Sequence, residues 1–396
     1  MRIFAAAILI LLPALALAQA APVEQGPRNA SFEPAFPDQT RAPSLTQTPV
    51  TVEPFVTGLA NPWGIAPLPG GAWLVTERPG RLRVVTAEGA VSAPVSGLPE
   101  VDDRRQGGLL DVTVSPEFLQ DNTIFWTYAK PVQGGTVTAA ARGILDIAAL
   151  RVTDVQDIFV QSPPSPTPMH YGSRILLDGR GHAFITTGEH STRAERVLAQ
   201  DLSTTYGKVV RIQLDGSAPS DNPFVRRDGL DTIWSYGHRN PQGAAIHPRT
   251  GALWTVEHGP AGGDELNRPE PGANYGWPVV SYGVNYNRSS VGTGQPRAEG
   301  MEEPVYYWDP VIAPGGMVFY QGSAFSRWRG DLLIGSLNPG ALVRLKMQGG
   351  RVIGEERVVT DQGRIRDVEE APDGSVLLLI DAPAPDGGIV RLRPAG

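Results

Sequence analysis

Cysteine is absent from the 396-residue sequence. This absence excludes disulfide bonds, thiolate metal sites, iron–sulfur clusters, a cysteine nucleophile and a lipid-anchored cysteine. Basic residues are in deficit, because 34 Lys+Arg against 41 Asp+Glu give a net charge of −7. A general nucleic-acid-binding protein would present a basic face, so this balance argues against a nucleic-acid partner. Nearly all the basic residues are arginine, which suits forked contacts to carboxylates and phosphates in a local pocket.

One long hydrophobic run is present, from Ile3 to Leu17. It follows Arg2 and precedes the small residues Ala18–Ala21, a pattern typical of a secretory signal peptide. The run is shorter than the roughly 20 apolar residues that a membrane span needs. An uncleaved anchor is the alternative. We predict a signal peptide over residues 1–20, a periplasmic or secreted protein, and no membrane span in the mature chain.

Glycine and proline are abundant, with 46 and 37 residues. Neither residue is well tolerated inside long helices, which argues against a mainly helical protein. Residues 21–50 are rich in proline, serine, threonine and glutamine, so we predict an irregular N-terminal arm there.

From about Val52 onward the sequence repeats one unit: a short apolar strand, a turn with Gly or Asp, and a second apolar strand. Several units add a third strand of the form Gly-x-apolar-x-Arg. The first strands of the six units begin near Gly64, Leu110, Arg174, Gly243, Gly316 and Arg366. Such repeats predict an all-β fold, a six-bladed β-propeller of four-stranded antiparallel blades over residues 51–396. A β-sandwich, the alternative, explains the short strands but not the repeated unit.

The first candidate functional residues lie in loops next to these strands, where such scaffolds usually carry function. His170 follows a proline-rich stretch and precedes a strand, a position that suits a general base at the channel mouth. Its alternative role is to cap the strand. Arg239 and Asn240 precede Pro241 and offer a forked cation and an amide to an anionic ligand. Alternatively, they bond neighbouring carbonyls in a turn.

A glycine-rich loop from Glu257 to Asn267 brings carboxylates and carbonyl groups together. Hard cations prefer such oxygen ligands, so the loop predicts Ca²⁺, although its spacing is not that of an EF-hand. A solvated turn is the alternative.

Arg364 and Arg366 occupy alternate positions, so a strand would point both side chains to the same side. Two guanidinium groups on one face repel each other unless an anion lies between them, which predicts a ligand carboxylate. The alternative is a surface pair bridged to Asp361 and Asp367.

Several motif blocks, in conserved order from about Glu53 to the C-terminus, resemble the soluble quinoprotein aldose sugar dehydrogenases, relatives of soluble glucose dehydrogenase. The blocks are Arg105–Asp111, His170, Gly237–Gly243, Glu257–Pro260, Gly263–Glu265, Asn274–Pro278 and Arg364–Asp367. The resemblance implies a six-bladed propeller that uses pyrroloquinoline quinone (PQQ) and Ca²⁺.

The resemblance also implies roles for single residues. His170 matches the catalytic base, and Arg239 matches a residue that stabilises negative charge in the reaction. Further cofactor contacts are implied for Gln106, Asn240, Tyr286, Arg364 and Arg366.

Two pairs of residues resemble metal ligands of the family. Gly259 and Pro260 match positions whose backbone carbonyls hold the cofactor-bound Ca²⁺. Glu265 and Tyr275 resemble ligands of a Ca²⁺ site, Tyr275 through its carbonyl.

The sequence departs from the family pattern at two places. Asn338 stands where the family often carries a lysine that reaches the cofactor, so a hydrogen bond replaces a charge there. Ser173 stands where the family commonly has glycine, and we expect it to alter the floor of the sugar pocket.

The implied reaction is oxidation of an aldose at its anomeric carbon to the lactone, with an electron acceptor that the sequence leaves unknown. The expected assembly is a monomer or homodimer. Two other classes stay open: a Ca²⁺-dependent lactonase, which needs no arginines grouped on a tricarboxylate, and a non-catalytic binding propeller, which needs no His170.

Overall fold

The computed structural model describes residues 20–396, so the signal peptide predicted over residues 1–20 lies almost wholly outside the described residues. The described part is nearly all β, with one short helix, α1 (Phe118–Asp121), and two 3₁₀ turns, Arg196–Gln200 and Ser326–Trp328. Within residues 20–396 no helix is long and apolar enough to cross a membrane.

The strands form six antiparallel sheets, and each sheet corresponds to one of the predicted repeat units. Blade 1 contains β2 (Pro62–Pro67), β3 (Trp73–Glu77) and β4 (Arg81–Val85). Blade 2 contains β5 (Leu109–Val114), β6 (Thr123–Val132), β7 (Gly135–Asp146) and β8 (Arg151–Val160). Blade 3 contains β9 (Gly172–Leu177), β10 (His182–Thr187), β11 (Lys208–Gln213) and β12 (Ile233–Tyr236). Blade 4 contains β13 (Pro241–Ile246), β14 (Leu253–Glu257), β15 (Asp264–Asn267) and β16 (Tyr306–Trp308). Blade 5 contains β17 (Pro314–Phe319), β18 (Leu332–Ser336), β19 (Leu342–Gln348) and β20 (Arg351–Arg357). Blade 6 contains β21 (Ile365–Glu370), β22 (Val376–Ile380), β23 (Gly387–Pro394) and the N-terminal strand β1 (Val50–Leu59).

The first strands of the six blades, β2, β5, β9, β13, β17 and β21, contact their neighbours in sequence and so surround a central channel. The predicted six-bladed propeller is therefore confirmed. Blade 1 has three regular strands, and its outer edge is completed by the amides of Ser92 and Val95, which donate to carbonyls of β4 at 2.9 Å.

The ring is closed by pairing between the two ends of the propeller domain. β1 pairs antiparallel with β23, so the N-terminal strand supplies the outermost strand of blade 6. Apolar side chains pack between neighbouring blades; Val256 and Leu266 of blade 4, for example, belong to one buried cluster with Leu332 and Ile334 of blade 5. Burying such faces between blades is what makes a small sheet stable, since it cannot cover both its faces alone.

The segment between residue 20 and β1 has little regular structure, but it lies against blades 4 and 5. Gln39 is fully buried and donates to the Pro304 carbonyl at 2.9 Å. The amide of Leu45 donates to the Glu355 carbonyl of β20 at 2.8 Å. This segment therefore covers the outer edge of the propeller.

Candidate functional site

A cavity of about 350 Å³ lies at one mouth of the central channel. All six blades contribute to its lining, which includes Trp63, Arg78, Gln106, His170, Arg239, Leu337 and Arg366. These residues lie close to where a blade's first strand begins or just after its second strand ends. In antiparallel neighbours those two ends lie at the same edge, so the fold brings residues distant in sequence to one face.

His170 is the candidate base at this cavity. It is only 5% exposed and has a left-handed backbone, φ +49°, a strained conformation that is often found at functional sites. Gln106 holds this backbone, because its side-chain oxygen accepts the His170 amide at 2.8 Å. Gly188 permits the conformation, since a Cβ there would lie 1.9 Å from the His170 carbonyl oxygen.

The His170 ring contacts a buried charge pair. Its Nδ1 lies 3.3 Å from Oε1 of Glu189, and the same oxygen lies 4.0 Å from Nε of Arg239. Burial lowers the pKa of His170, while the charge of Glu189 acts in the opposite direction. Burial alone would raise the pKa of Glu189, but His170 and Arg239 outweigh it and hold it below its usual value. The imidazole is therefore neutral near pH 7 and can accept a proton.

Arg239 reaches the cavity from the loop before β13. Its Nη1 donates to the His258 carbonyl at 3.0 Å, and its amide donates to Glu257 at 2.6 Å. Its guanidinium lies over Trp277, 5.2 Å from the ring centroid. The buried Nε of Arg239 has no hydrogen-bond partner among the described residues, which leaves a donor available to a ligand.

Arg364 and Arg366 both line the cavity, and the structure adds two local details. Arg364 precedes β21 by one residue, and the register shifts between Ile365 and Asp367. The alternative, a surface pair bridged to Asp361 and Asp367, is not found, because the counter-charge is Asp381, whose Oδ2 lies 2.7 Å from Arg366 and 3.8 Å from Arg364. Arg366 is buried, whereas the Arg364 side chain is 53% exposed.

A second, much smaller cavity adjoins the first and shares Arg239 and His258 with it. It is lined by the four predicted metal ligands, Gly259, Pro260, Glu265 and Tyr275. Burial, with the nearby charge of Glu257, raises the pKa of Glu265 well above its usual value. Among residues 20–396, no cluster of three or more His, Asp or Glu side chains has metal-binding geometry, so a cation here would depend on backbone carbonyls.

Most of the predicted cofactor-contacting residues lie together. The cavity lining includes Gln106, His170, Arg239, Asn240, Tyr286, Arg364 and Arg366. Tyr286 is at the rim, 74% exposed.

Of two further sequence expectations, one stays a prediction and the other was wrong. Leu337 lines the cavity and the next residue, Asn338, is exposed beside it, so a contact between Asn338 and the cofactor stays a prediction. Ser173 is fully buried and its hydroxyl bonds the Tyr171 carbonyl, so it does not form the pocket floor. Trp63 lines the cavity instead, with Arg366 located 5.9 Å from its ring centroid.

Glu189 and Asp381 were missed from the sequence, although a signal for them exists. In four blades a carboxylate lies at the end of the second strand or within two residues after it: Glu77, Glu189, Glu257 and Asp381. Each lies within ion-pairing distance of an arginine or a histidine at this face of the propeller. Aligning the six repeat units at their second strands would have identified both residues.

Comparisons of the sequence with known proteins agree on one family. The family model described as glucose/sorbosone dehydrogenase matches residues 59–391. Aldose sugar dehydrogenase YliI of Escherichia coli K12 is 41% identical over 350 residues, which cover 87% of this chain and 93% of that protein.

Solved structures agree. The apo form of the soluble aldose sugar dehydrogenase of Escherichia coli superposes with a TM-score of 0.83 at 40% identity, covering 87% of this chain and 100% of that one. The PQQ-bound form of an aldose sugar dehydrogenase from Streptomyces coelicolor has a TM-score of 0.73 at 26% identity, covering 89% and 99%.

Proposed function

The chain belongs to the glucose/sorbosone dehydrogenase family, and from this premise we propose that it is a PQQ- and Ca²⁺-dependent aldose sugar dehydrogenase. It oxidises an aldose at the anomeric carbon to the lactone. The observation that carries the proposal is the buried His170, paired with Glu189 and placed beside Arg239 in the cavity at the channel mouth. With the signal peptide predicted over residues 1–20, the proposal places the reaction in the periplasm or the medium.

The cavity fits a flat, anionic cofactor. Its lining has five arginines, Arg78, Arg105, Arg239, Arg364 and Arg366, against one carboxylate, Asp381. PQQ carries three carboxylates, and arginine pairs with carboxylates through forked, charge-assisted hydrogen bonds. The volume of about 350 Å³ lies in the range of small-molecule sites. Arg364 and Arg366 would hold the carboxylates, and Arg239 and Asn240 would face the quinone.

The adjoining small cavity fits a hard cation. Within the described residues, no protein donor is hydrogen-bonded to the carbonyl oxygens of Gly259 and Pro260. A divalent cation would also relieve the repulsion between Glu257 and Glu265 that helps to raise the pKa of Glu265. Carbonyl and carboxylate oxygens are the ligands that Ca²⁺ prefers. We therefore propose Gly259, Pro260, Glu265 and the Tyr275 carbonyl as the residues that would hold Ca²⁺.

The protein's part in the reaction is proton transfer and charge stabilisation. Bound PQQ supplies a two-electron acceptor for the hydride that leaves the anomeric carbon. His170 accepts the proton of the anomeric hydroxyl, and Glu189 stabilises the imidazolium that results. Arg239 stabilises negative charge that develops on the acceptor side of the cavity.

The proposal is tested by adding PQQ and CaCl₂ to purified protein and following the reduction of an artificial dye with a panel of aldoses. We expect dye reduction that needs all three components and is abolished by EDTA and restored by Ca²⁺. An Arg180→Gln protein, changed at an exposed loop on the opposite face between β9 and β10, serves as the matched control.

Three outcomes would count against the proposal. Full activity of metal-free protein with PQQ alone would overturn the calcium assignment. Lactone hydrolysis without PQQ would favour the lactonase. Failure to oxidise any aldose would overturn the proposed activity.

A further inference from the structure

A second large cavity lies beside the candidate active site. Its volume is about 780 Å³, and its lining includes Arg193, Arg196, Asn285, Tyr286 and Asn287. We call it the side pocket. Among the residues that the structure describes, no aspartate or glutamate lines it. Two arginines without a carboxylate in the wall give it a positive potential, in a chain whose net charge is −7.

The side pocket adjoins the active-site cavity. Tyr286 lines both, and it is exposed enough to present its ring to a ligand. Trp277 lies close to one arginine of each cavity, because the guanidinium carbons of Arg196 and Arg239 lie 5.7 and 5.2 Å from its ring centroid. A ligand that occupies the active-site cavity next to Tyr286 is therefore placed beside the side pocket.

The side pocket is partly preorganised for recognition. Arg196 donates to Oδ1 of Asn285 at 2.9 Å, and Asn285 is itself held by its contact with the Ser290 carbonyl at 2.7 Å. Arg193 is exposed and forms no ion pair within residues 20–396. An aromatic face, amide groups and cations together suit a sugar ring that carries a negative charge.

We infer that the side pocket binds the acidic ring of a disaccharide whose neutral ring is oxidised at His170, so that the preferred substrates are aldobiouronic acids. This inference rests on the proposed function. The flat cofactor and the oxidised ring would fill the cavity of about 350 Å³, so the uronic acid ring would lie beyond them, with its carboxylate at Arg193 and Arg196 of the side pocket.

The test compares glucose, cellobiose and cellobiouronic acid, in which glucuronic acid replaces the non-reducing glucose. With phenazine methosulfate as acceptor, we expect a lower KM for cellobiouronic acid than for cellobiose. Arg193→Gln should raise the KM for cellobiouronic acid about threefold to tenfold without changing kcat. The KM and kcat values for glucose and cellobiose should stay unchanged. Calorimetric titration of cellobiouronic acid into the protein should show the same loss of affinity, and Arg180→Gln should show none.

Equal KM values for cellobiose and cellobiouronic acid in the wild type, with glucose still oxidised, would overturn the inference and leave the proposed function intact. Failure to oxidise glucose would overturn the proposed function itself. If Arg193→Gln slows glucose oxidation with ferricyanide but not with phenazine methosulfate, the side pocket receives an anionic electron acceptor and the sugar-acid inference is wrong.

Discussion

Two groups of buried charges differ in how completely they are paired: a lower group around Arg174, within β9, and an upper group around His170, just before β9. In the lower group, Nη1 of Arg174 lies 2.9 Å from Asp111 and 2.8 Å from Asp367, and its Nε donates to a carbonyl at 2.6 Å. In the upper group, at the cavity, the 3.3 Å contact between His170 and Glu189 leaves polar atoms of both without a well-aligned hydrogen bond in the described chain.

The comparison separates a structural network from a binding network. Buried polar groups are normally hydrogen-bonded, and leaving one unpaired costs free energy. The Arg174 network satisfies that rule within the protein and joins blades 2, 3 and 6. The His170 network satisfies it only in part, which is expected where a ligand completes the set.

The largest effect is expected from breaking the lower network. Arg174→Met leaves two buried carboxylates without their cation and should lower the free energy of unfolding by about 3–5 kcal/mol at pH 8. Burial, only partly offset by Arg174, already raises the pKa of Asp111 to about 6. Without the cation the pKa of Asp111 rises further, so this carboxyl is protonated in the folded state at pH 5. The loss of unfolding free energy should therefore be smaller at pH 5 than at pH 8. Urea denaturation measures both values.

Arg211→Met is the matched control, because its partner Asp221 is 70% exposed and can be solvated by water. A loss for Arg174→Met no greater than that for Arg211→Met would show that the lower network is not a structural support.

Removing the base from the upper network should lower the catalytic rate without unfolding the protein. His170→Ala should lower kcat with aldoses by about 10²–10⁴ and leave PQQ affinity close to wild type. Dye-linked kinetics and absorbance titration measure the two quantities. A rate within about twofold of wild type would assign the base to another group, given the size of that expected effect.

Arg366 should affect cofactor affinity more than turnover. Loss of one charge-assisted contact costs roughly 1.5–3 kcal/mol, so Arg366→Ala should weaken PQQ binding about ten- to a hundredfold. Saturating PQQ should recover much of the rate. Because Arg366→Ala also leaves Asp381 unpaired, the double variant Arg366→Ala/Asp381→Asn separates the loss of the contact from the buried charge. Unchanged affinity in both would place the cofactor elsewhere.

The smallest effect is a shift in pH dependence. A base must be neutral, and burial lowers the pKa of His170, so activity should persist below pH 6.5 before it falls. Glu189 opposes that lowering, and Glu189→Gln should therefore move the acid limb of kcat/KM to lower pH. The pH profiles of both proteins provide the measurement. An acid limb that moves to higher pH in Glu189→Gln would contradict the assigned pairing of His170 with Glu189.

The sequence was sufficient for the fold because every blade carries its own pattern of strands and turns. It was not sufficient for the closure of the ring, since pairing of β1 with β23 joins residues more than 300 positions apart and leaves no local pattern. The partners of the arginines were missed for a similar reason. Asp381 is close to Arg366 because β22 runs antiparallel to β21, whereas sequence proximity had suggested only Asp361 and Asp367 as alternative partners.

The central claim is that the incompletely paired upper network is a site for PQQ with a working base. An anaerobic absorbance titration with PQQ and Ca²⁺, followed by glucose, tests it most directly. The account predicts saturable binding of one PQQ per chain and a change to the spectrum of the reduced cofactor on addition of glucose, with binding but no change in His170→Ala. Absence of saturable binding, or bound PQQ that stays oxidised in the wild type with every aldose, would contradict it.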